Sequence, residues 1–453
     1  MTLQSWLDEQ VGALATEANV PGLVAGVVHG DQRAVSVHGV TSVDTQVEVT
    51  RNTVFQIGSN TKLYTATAAM RLVDEGRLTL DTAVVDLVPE LRLATPGAAE
   101  QVTVRHLLTH TSGIDGDVTG PADIGWGEDM LARYVAALAD VPLLHPVGAM
   151  WSYCNSGWVL LGRVIEQATG STYEQALREL VLEPLGAQRT LFRAEEILLH
   201  RAAVGHLPTG PDGSDVVAPV YVQFPACAPA GSVMVSTADE VLDFIELHLD
   251  GGRDVLKPDT AALMTSWQVD RPRTGGAQSM GLGWMRRTAR DGRDVIGHGG
   301  GTLGQLSILQ VLPAERLAVV VVTNSLGGGM AGVRLAERAM QHLAGADITD
   351  APPVAQGSPP ADLTPYAGRF VRRTTTVTVR PADDALELDV VEDPMYPDLQ
   401  LPPRTLRVRP VDAHVFTDDE SGLTVRFDDF DEAGRPTYFF NFRYLRRDDA
   451  PAL

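Results

Sequence analysis

Residues 54–63 read VFQIGSNTKL, in which a short strand-like run breaks at Gly58 and a long helix begins at Ser59. Lys62 follows Ser59 by three residues, so a helix would place the hydroxyl and the amine on one face. Apolar residues recur at helical spacing until Gly76, which predicts a buried helix that ends there. Lys62 is therefore expected to be poorly solvated.

A buried serine and lysine can form a reactive pair, because a neutral amine can take the proton of a hydroxyl. Burial and the positive end of the helix dipole both disfavour the ammonium form, so both should lower the pKa of Lys62. Lys62 and Lys257 are the only lysines among 36 basic residues. Arginine could not replace Lys62 in this role, because arginine does not deprotonate. The spacing alone carries little weight, so other residues must complete the site.

A second segment, residues 150–157, reads MWSYCNSG and precedes another apolar helix. Tyr153 and Asn155 can point the same way only where the backbone is extended or turning, as a loop before a helix permits. Tyr153 could relay a proton if neighbouring cations lower its pKa from about 10, and Asn155 could bind an amide and hold Lys62. In the alternative interpretation, Asn155 or Ser156 merely caps the helix and Tyr153 packs beneath it.

A third segment, residues 296–304, reads IGHGGGTLG and contains His298. Its glycines match a dinucleotide-binding fingerprint, but that site requires a helix directly afterwards. Residues 305–311 read as a strand instead, which excludes nucleotide binding. Glycines beside a histidine on a strand let a substrate lie against the backbone, with a free N–H to stabilise an oxyanion.

Two further candidates are weaker. His106 and His110 have the spacing of a zinc-binding helix, but Leu107 stands where a metalloprotease needs glutamate, so both are interpreted as structural and no metal is expected. Cys154 lacks any local feature that would lower the pKa of its thiol, so it is interpreted as a packing or loop residue.

The composition is that of an ordinary globular protein, and 453 residues allow more than one domain. A net charge of −22 argues against nucleic acid or an anionic membrane as a partner. The two cysteines do not make a disulfide framework. The first residues show neither a basic region nor an apolar run typical of a secretion signal, so the expected location is the cytoplasm.

The predicted fold class is α+β, with one antiparallel sheet assembled from both ends of a region and flanked by helices. Strand-like runs occur at 23–28, 34–40, 281–286, 293–296, 305–312 and 317–323. Besides residues 2–18 and the helix from Ser59, helices are predicted at 104–108, 129–139, 156–168, 173–182, 237–249 and 332–343. A helical subdomain, about 78–215, would be inserted in the middle.

The remainder of the chain is predicted to be a separate unit. Residues 349–362 read as a linker between a catalytic domain at 1–348 and a smaller domain at 363–453. Six short strands with turn residues between them indicate a small antiparallel barrel or sandwich. They are expected at 366–370, 375–380, 385–390, 406–409, 423–427 and 437–443.

The motifs Ser59-Asn60-Thr61-Lys62, Tyr153-Cys154-Asn155 and His298-Gly299-Gly300, taken in this order, resemble those of the serine β-lactamase and penicillin-binding-protein superfamily. The branch resembled contains class C β-lactamases, DD-peptidases and related esterases. The resemblance covers roughly residues 5–345, and the tail resembles the lipocalin-like domain appended to some members. The resemblance implies a serine hydrolase or acyltransferase that works without a cofactor.

The resemblance also implies roles for individual residues. Ser59 would be acylated, and Lys62 with Tyr153 would move the proton, either of them being the general base. Asn155 would contact Lys62 and the acyl group, His298 would lie across the site near Tyr153, and Gly299 and Gly300 would line the substrate site. The N–H groups of Ser59 and Gly301 would form the oxyanion hole.

One position departs from the pattern, because β-lactamases of this class carry lysine where His298 stands. A histidine is only partly charged at neutral pH, so a carboxylate on the substrate is less obviously required. The expected partner is a small-molecule or peptidyl acyl substrate, either free or carrier-bound.

Several functions fit this chemistry, and the acyl donor, the acyl acceptor and the oligomeric state stay open. The leading hypothesis is an esterase, a D-amino-acid peptidase or amidase, or a thioesterase that releases or cyclises a peptide. A β-lactamase or DD-peptidase is one alternative. An alternative of another class is a binding or sensor module that keeps the fold but does not turn over.

Overall fold

A computed structural model describes residues 1–117, 124–210, 213–221, 224–272, 278–349, 353, 355–393, 404–418, 422–451 and 453. The helices are α1 (Leu3–Glu17), α2 (Thr61–Asp74), α3 (Val84–Leu87), α4 (Val104–Leu108), α5 (Met130–Ala136), α6 (Asn155–Thr169), α7 (Tyr173–Leu177), α8 (Glu183–Leu185), α9 (Ala194–Ile197), α10 (Ala238–Leu249), α11 (Pro258–Thr265) and α12 (Gly328–Ala344). The first twelve strands are β1 (Gly22–His29), β2 (Gln32–Gly39), β3 (Phe55–Gln56), β4 (His206–Leu207), β5 (Val216–Val217), β6 (Val235–Ser236), β7 (Val269–Asp270), β8 (Gln278–Met280), β9 (Met285–Thr288), β10 (Asp294–Thr302), β11 (Gln305–Leu312) and β12 (Leu317–Thr323). The last eight are β13 (Gly368–Arg372), β14 (Thr375–Ala382), β15 (Ala385–Glu392), β16 (Arg404–Pro410), β17 (Val415–Thr417), β18 (Thr424–Phe430), β19 (Pro436–Asn441) and β20 (Arg443–Arg447).

Within the described ranges, an antiparallel sheet has the strand order β2-β1-β12-β11-β10-β9-β8-β7. The pairing of Leu23 with Thr323 joins the two ends of this region, as predicted. The side chains of β12 alternate between two cores. Val319 and Val321 pack with helices α1 and α12, whereas Val320 and Val322 pack with α2, α6 and α10 on the other face. Because both faces are covered, β12 is a continuous apolar run.

Several predicted elements have different bounds. The expected helix at Ser59 starts with a 3₁₀ turn, Gly58–Asn60, before α2. The strand predicted over 281–286 begins later, at Met285 as β9, because the Gly281 N–H donates to the Trp284 carbonyl in a turn between β8 and β9. The strand predicted at 293–296 continues through the glycine-rich segment to Thr302.

The predicted helices are present, but two of them are divided. The stretch at 129–139 is α5 followed by a 3₁₀ turn, Ala137–Asp140, and the stretch at 173–182 is α7 followed by a π-helical segment, Arg178–Leu182. The closing helix α12 starts four residues before its predicted position and ends one residue after it. No helix in the described ranges is long and apolar enough to cross a lipid bilayer.

Strands β13 to β20 form a closed antiparallel barrel, called the barrel from here on. It has eight strands where six were predicted. The short strand β17 was missed, and the run predicted over 437–443 is two strands, β19 and β20, joined at Phe442. The φ angle of Phe442 is +62°, a left-handed conformation that phenylalanine rarely adopts and that its sequence did not signal. Residues 350–352 and 354 of the predicted linker lie outside the described ranges, and the domain boundaries stay predictions.

Candidate active site

The 3₁₀ turn Gly58–Asn60 packs directly against β10. Gly58 has a φ angle of +53°, and a Cβ atom there would lie 2.4 Å from the Gly301 nitrogen. A Cβ atom at Gly300 would lie 2.0 Å from the Ile57 carbonyl oxygen. Only glycine at both positions permits this approach, and the approach brings the backbone of Ser59 beside the glycine-rich strand.

Lys62 lies in the first turn of α2 and is completely buried, whereas Ser59 is partly exposed. The Lys62 Nζ atom is 3.1 Å from Ser59 Oγ, 2.9 Å from Asn155 Oδ1 and 2.5 Å from the Ala230 carbonyl oxygen. A neutral amine can donate to the last two oxygens and still offer its lone pair to the Ser59 hydroxyl. The contacts therefore suit proton transfer from Ser59 to Lys62.

The protonation of Lys62 follows from its surroundings. Burial lowers the pKa of Lys62 to about 7, and the Arg443 guanidinium adds to this effect while the Asp117 carboxylate opposes it. A substantial fraction of the amine is thus neutral at neutral pH. The predicted lowering of the Lys62 pKa is confirmed, with burial as the main cause.

Tyr153 is buried beside this pair and is hydrogen-bonded to Ser59. Lys62 Nζ and the guanidinium carbon of Arg443 each lie 4.9 Å from the centre of its ring. Burial nevertheless raises the pKa of Tyr153, and the Ser59 hydrogen bond and Arg443 only partly offset this. The condition under which Tyr153 could relay a proton, a pKa lowered by neighbouring cations, is therefore not met, and the phenol stays protonated at neutral pH.

Asn155 is the first residue of α6, but it does not cap the helix. The cap is Cys154, whose Sγ accepts the Gly157 N–H at 3.2 Å. The Asn155 side chain instead bridges two groups: its Oδ1 accepts from Lys62, and its Nδ2 donates to Asp117 Oδ1 at 2.7 Å. The predicted contact with Lys62 is present, and the helix-cap interpretation of Asn155 is wrong.

His298 lies on β10 with its ring centre 6.2 Å from that of Tyr153. Its Nδ1–H donates to the Gly299 carbonyl at 2.5 Å, which leaves Nε2 as an acceptor. Nε2 is buried and has no hydrogen-bond partner among the described residues. Burial, aided by Lys62, lowers the pKa of His298 to about 3, so His298 is neutral at pH 7 rather than partly charged.

One edge of β10 is unpaired beyond Gly297 among the described strands. Strand β9 pairs with β10 only as far as Gly297, and β11 pairs with its other side as far as Thr302. Gly299 and Gly301 are exposed. In the described part of the chain, the edge beyond Gly297 therefore presents backbone groups that an extended substrate could pair with.

Two residues that the sequence analysis treated as structural lie next to the site. The ring of His110 stacks on that of Tyr153 with centres 4.4 Å apart, and burial lowers the pKa of His110. Burial raises the pKa of the Cys154 thiol to about 12, which agrees with a packing role. Among the described residues, no cluster of His, Cys, Asp and Glu side chains could hold a metal ion.

Sequence reasoning missed three charged residues at this site. Asp117 contacts Asn155 from a loop, and Arg372 and Arg443 reach Asp117 from the barrel. Their contacts with Asp117 span 255 and 326 residues of chain. A single sequence carries no signal for contacts between charged residues so far apart.

Comparisons with known proteins agree with this geometry. A family model described as Beta-lactamase matches residues 7–344. Penicillin-binding protein 4 of Amycolatopsis lactamdurans is 39% identical over 384 residues, which is 80% of this chain and 96% of the relative. The crystal structure of a protein named SurE is 27% identical and covers 98% of both chains with a TM-score of 0.78. SurE has also been solved with D-Leu.

A further solved structure matches a smaller share of this chain. It is a D-stereospecific amidohydrolase from a Streptomyces species, 26% identical, with a TM-score of 0.59. The match covers 75% of this chain and 98% of the amidohydrolase.

Proposed function

The chain belongs to the Beta-lactamase family of serine hydrolases and acyltransferases, and we propose that it acts through an acyl-enzyme on Ser59. The acyl donor is an ester, thioester or amide with a D-configured amino-acid residue at the reacting centre. The observation that carries the chemistry is the 3.1 Å contact between Ser59 Oγ and the buried Lys62 amine. The D configuration is supported by the relatives, one solved with D-Leu and one a D-stereospecific amidohydrolase.

In this proposal Ser59 Oγ attacks the acyl carbonyl while its proton moves to the neutral Lys62 amine. Tyr153 remains protonated and donates a hydrogen bond, since burial raises its pKa. The N–H groups of Ser59 and Gly301 receive the developing oxyanion. The leaving group departs with the proton that Lys62 took from Ser59, and water or another nucleophile then releases the acyl group from Ser59.

His298, Gly299 and Gly300 are proposed to line the substrate site. The open edge of β10 can pair with a peptide backbone, and the His298 ring lies on the same strand. An uncharged His298 attracts no carboxylate. This favours a peptidyl substrate, free or carrier-bound, whose reacting end is an ester, thioester or amide rather than a free carboxylate.

A β-lactamase or DD-peptidase is the second candidate. It is supported by the name of the relative from Amycolatopsis lactamdurans, a penicillin-binding protein. The neutral His298, which offers no positive charge to a substrate carboxylate, disfavours it. Hydrolysis of nitrocefin at ordinary enzymatic rates would make a β-lactamase the first candidate.

Intact-protein mass spectrometry tests the proposal with matched pairs of substrates, the thioesters of an N-acylated D-leucine and of its L enantiomer. We expect an adduct on the wild-type chain that Ser59→Ala lacks, and faster acylation by the D enantiomer. An equal adduct on Ser59→Ala would show that Ser59 is not the nucleophile. Equal acylation rates for both enantiomers would exclude the proposed preference for the D configuration. An adduct that no added amine or water releases would instead support the non-turnover binding module.

A further inference from the structure

Asp117 is a buried carboxylate outside the family motifs described above, and three polar side chains converge on it. Asn155 Nδ2 donates to its Oδ1 at 2.7 Å. Arg372 Nη1 donates to its Oδ2 at 2.8 Å, and Arg443 Nε lies 2.8 Å from the same oxygen. The Asp117 side chain is only 9% exposed. A buried carboxylate with several charged partners is held far more rigidly than an exposed one.

The contact with Asn155 fixes the orientation of its amide. An amide has one accepting end and one donating end, and Asn155 faces a carboxylate on one side and the Lys62 amine on the other. A flipped amide would turn its oxygen toward the carboxylate and its NH₂ group toward the amine, and would lose both hydrogen bonds. Asp117 thus selects the orientation in which Oδ1 receives Lys62.

The two arginines that hold Asp117 come from the seam of the barrel. Arg372 is the last residue of β13 and Arg443 is the first residue of β20, and these two strands pair to close the barrel. The next residue after Arg372 adds another contact, since the Arg373 N–H donates to Asp115 Oδ2 at 2.7 Å. Burial alone would raise the pKa of Asp117, but Arg443 and Arg372 outweigh it and hold that pKa below its ordinary value. Asp117 therefore stays ionised.

We propose that Asp117 is a positioning residue for acyl transfer, held by Arg372 and Arg443 of the barrel, and that it acts on Lys62 through Asn155. The barrel then serves the reaction directly, because its seam supplies the cations that fix this chain of contacts. The inference rests on the proposed acyl-enzyme at Ser59. It assigns no contact with substrate to Asp117.

The charged groups around Lys62 determine in which direction its pKa should change when Asp117 or Arg443 is removed. Burial raises the pKa values of Tyr153, Cys154 and Cys227 and lowers those of His110 and His298. These five groups are neutral near pH 7, so the charged groups acting most directly on Lys62 are Asp117, which raises its pKa, and Arg443, which lowers it. Removing one or the other should move the titration of Lys62 in opposite directions.

The test is the acylation rate of the full chain by an activated ester, followed by mass spectrometry from pH 5 to 9. Asp117→Asn should react about 10- to 100-fold more slowly, because a misplaced catalytic group costs that much. The pH midpoint of the acylation rate should be lower in Asp117→Asn by about half a pH unit, and higher in Arg443→Met by a similar amount. Arg443→Lys, which keeps the charge, should restore the wild-type midpoint.

Arg369→Met is the matched control, because Arg369 lies on the same strand as Arg372 but pairs with exposed Asp448. It should keep the wild-type rate and midpoint. A wild-type rate in Asp117→Asn, or midpoints that move together, would overturn the inference. If circular dichroism shows that Asp117→Asn does not fold, the acylation rates and pH midpoints of Arg443→Met and Arg372→Met, which remove the barrel contacts of Asp117, test the inference instead. Acylation of the wild type at Ser59 upholds the proposed function whatever these variants do.

Discussion

The ring of Phe442, in the barrel, lies 4.8 Å from the ring of Tyr153, and the Tyr153 N–H donates to the Phe442 carbonyl oxygen at 3.4 Å. The left-handed backbone at Phe442 turns the chain between β19 and β20 so that this ring reaches the tyrosine. The guanidinium of the neighbouring Arg443 lies over the Tyr153 ring. The barrel thus forms part of the wall around the candidate active site, and its residues belong in any test of the chemistry.

Lys62→Arg keeps a positive charge but removes the group that can become neutral. We expect the acylation of Ser59 to fall by about 10²- to 10⁴-fold, the usual contribution of a general base. Intact-protein mass spectrometry with an activated ester measures this rate directly.

Lys257→Arg is the matched control for that substitution. Lys257 is the other lysine of the chain, and its exposed Nζ donates to the Asp74 carbonyl. This variant should acylate at the wild-type rate. Retained activity in Lys62→Arg would show that deprotonation of residue 62 is not needed.

The rate of acylation should rise with pH through a midpoint near 7. The pKa of Lys62 is lowered to about 7, so the amine is charged and inactive below this pH and neutral above it. His298 should add no second step above pH 5, because burial lowers its pKa to about 3. Stopped-flow measurement with an ester of pH-independent reactivity gives the profile.

Tyr153→Phe separates the two candidate bases. Burial raises the pKa of Tyr153, so its removal should slow acylation by about 10- to 10³-fold without moving the midpoint near pH 7. A midpoint that disappears in this variant would assign the titration to Tyr153 instead of Lys62.

Gly58→Ala should damage the oxyanion hole. The new Cβ atom would lie 2.4 Å from the Gly301 nitrogen and must displace that strand. Loss of one oxyanion donor costs about 10²- to 10³-fold in rate. The left-handed φ angle adds about 1–2 kcal/mol of strain.

Gly76→Ala distinguishes strain from displacement. Gly76 also has a left-handed φ angle, +71°, but a Cβ atom there would meet nothing within 4 Å. It should lower the free energy of unfolding by about 1–2 kcal/mol in urea and leave the acylation rate unchanged. Equal rate losses in both variants would contradict the assignment of Gly301.

Phe442→Ala removes a ring that contacts both Tyr153 and Trp151. The side chain is 37% exposed, so we expect a loss of about 1–2 kcal/mol in urea unfolding, less than for a fully buried phenylalanine. Val391→Ala, at an exposed position on β15, should change stability by less than about 0.5 kcal/mol. An equal effect of both substitutions would show that the ring contacts do not hold the barrel in place.

Local patterns in the sequence predicted much of this structure. The apolar periodicity after Ser59 gave helix α2, and the lysine spacing gave the contact of Lys62 with Ser59. The run at 317–323 indicated a strand, and the structure has β12 there. These features depend on neighbours within a few residues or on one repeated pattern, and a single sequence contains both.

What the sequence could not predict depends on distant contacts. The raised pKa of Tyr153 comes from burial beneath the barrel, and the ionised Asp117 comes from arginines on two barrel strands. The turn at Phe442 contains no glycine or Asn-Gly pair that would predict it from the sequence. Its unfavourable backbone conformation is supported by ring contacts with Tyr153 and Trp151.

The sheet also determines when the enzyme can become active during its synthesis. Thr323 Oγ1 donates to the Gly22 carbonyl across 301 residues, and Arg443 reaches Asp117 across 326. Contacts of such high contact order form slowly and late. A ribosome delivers Ser59 and Lys62 long before it delivers Thr323 or Arg443, so the proposed nucleophile of the nascent chain lacks the sheet and barrel contacts that surround it in the folded protein. We therefore expect reactivity at Ser59 only after residues up to Arg443 have left the ribosome.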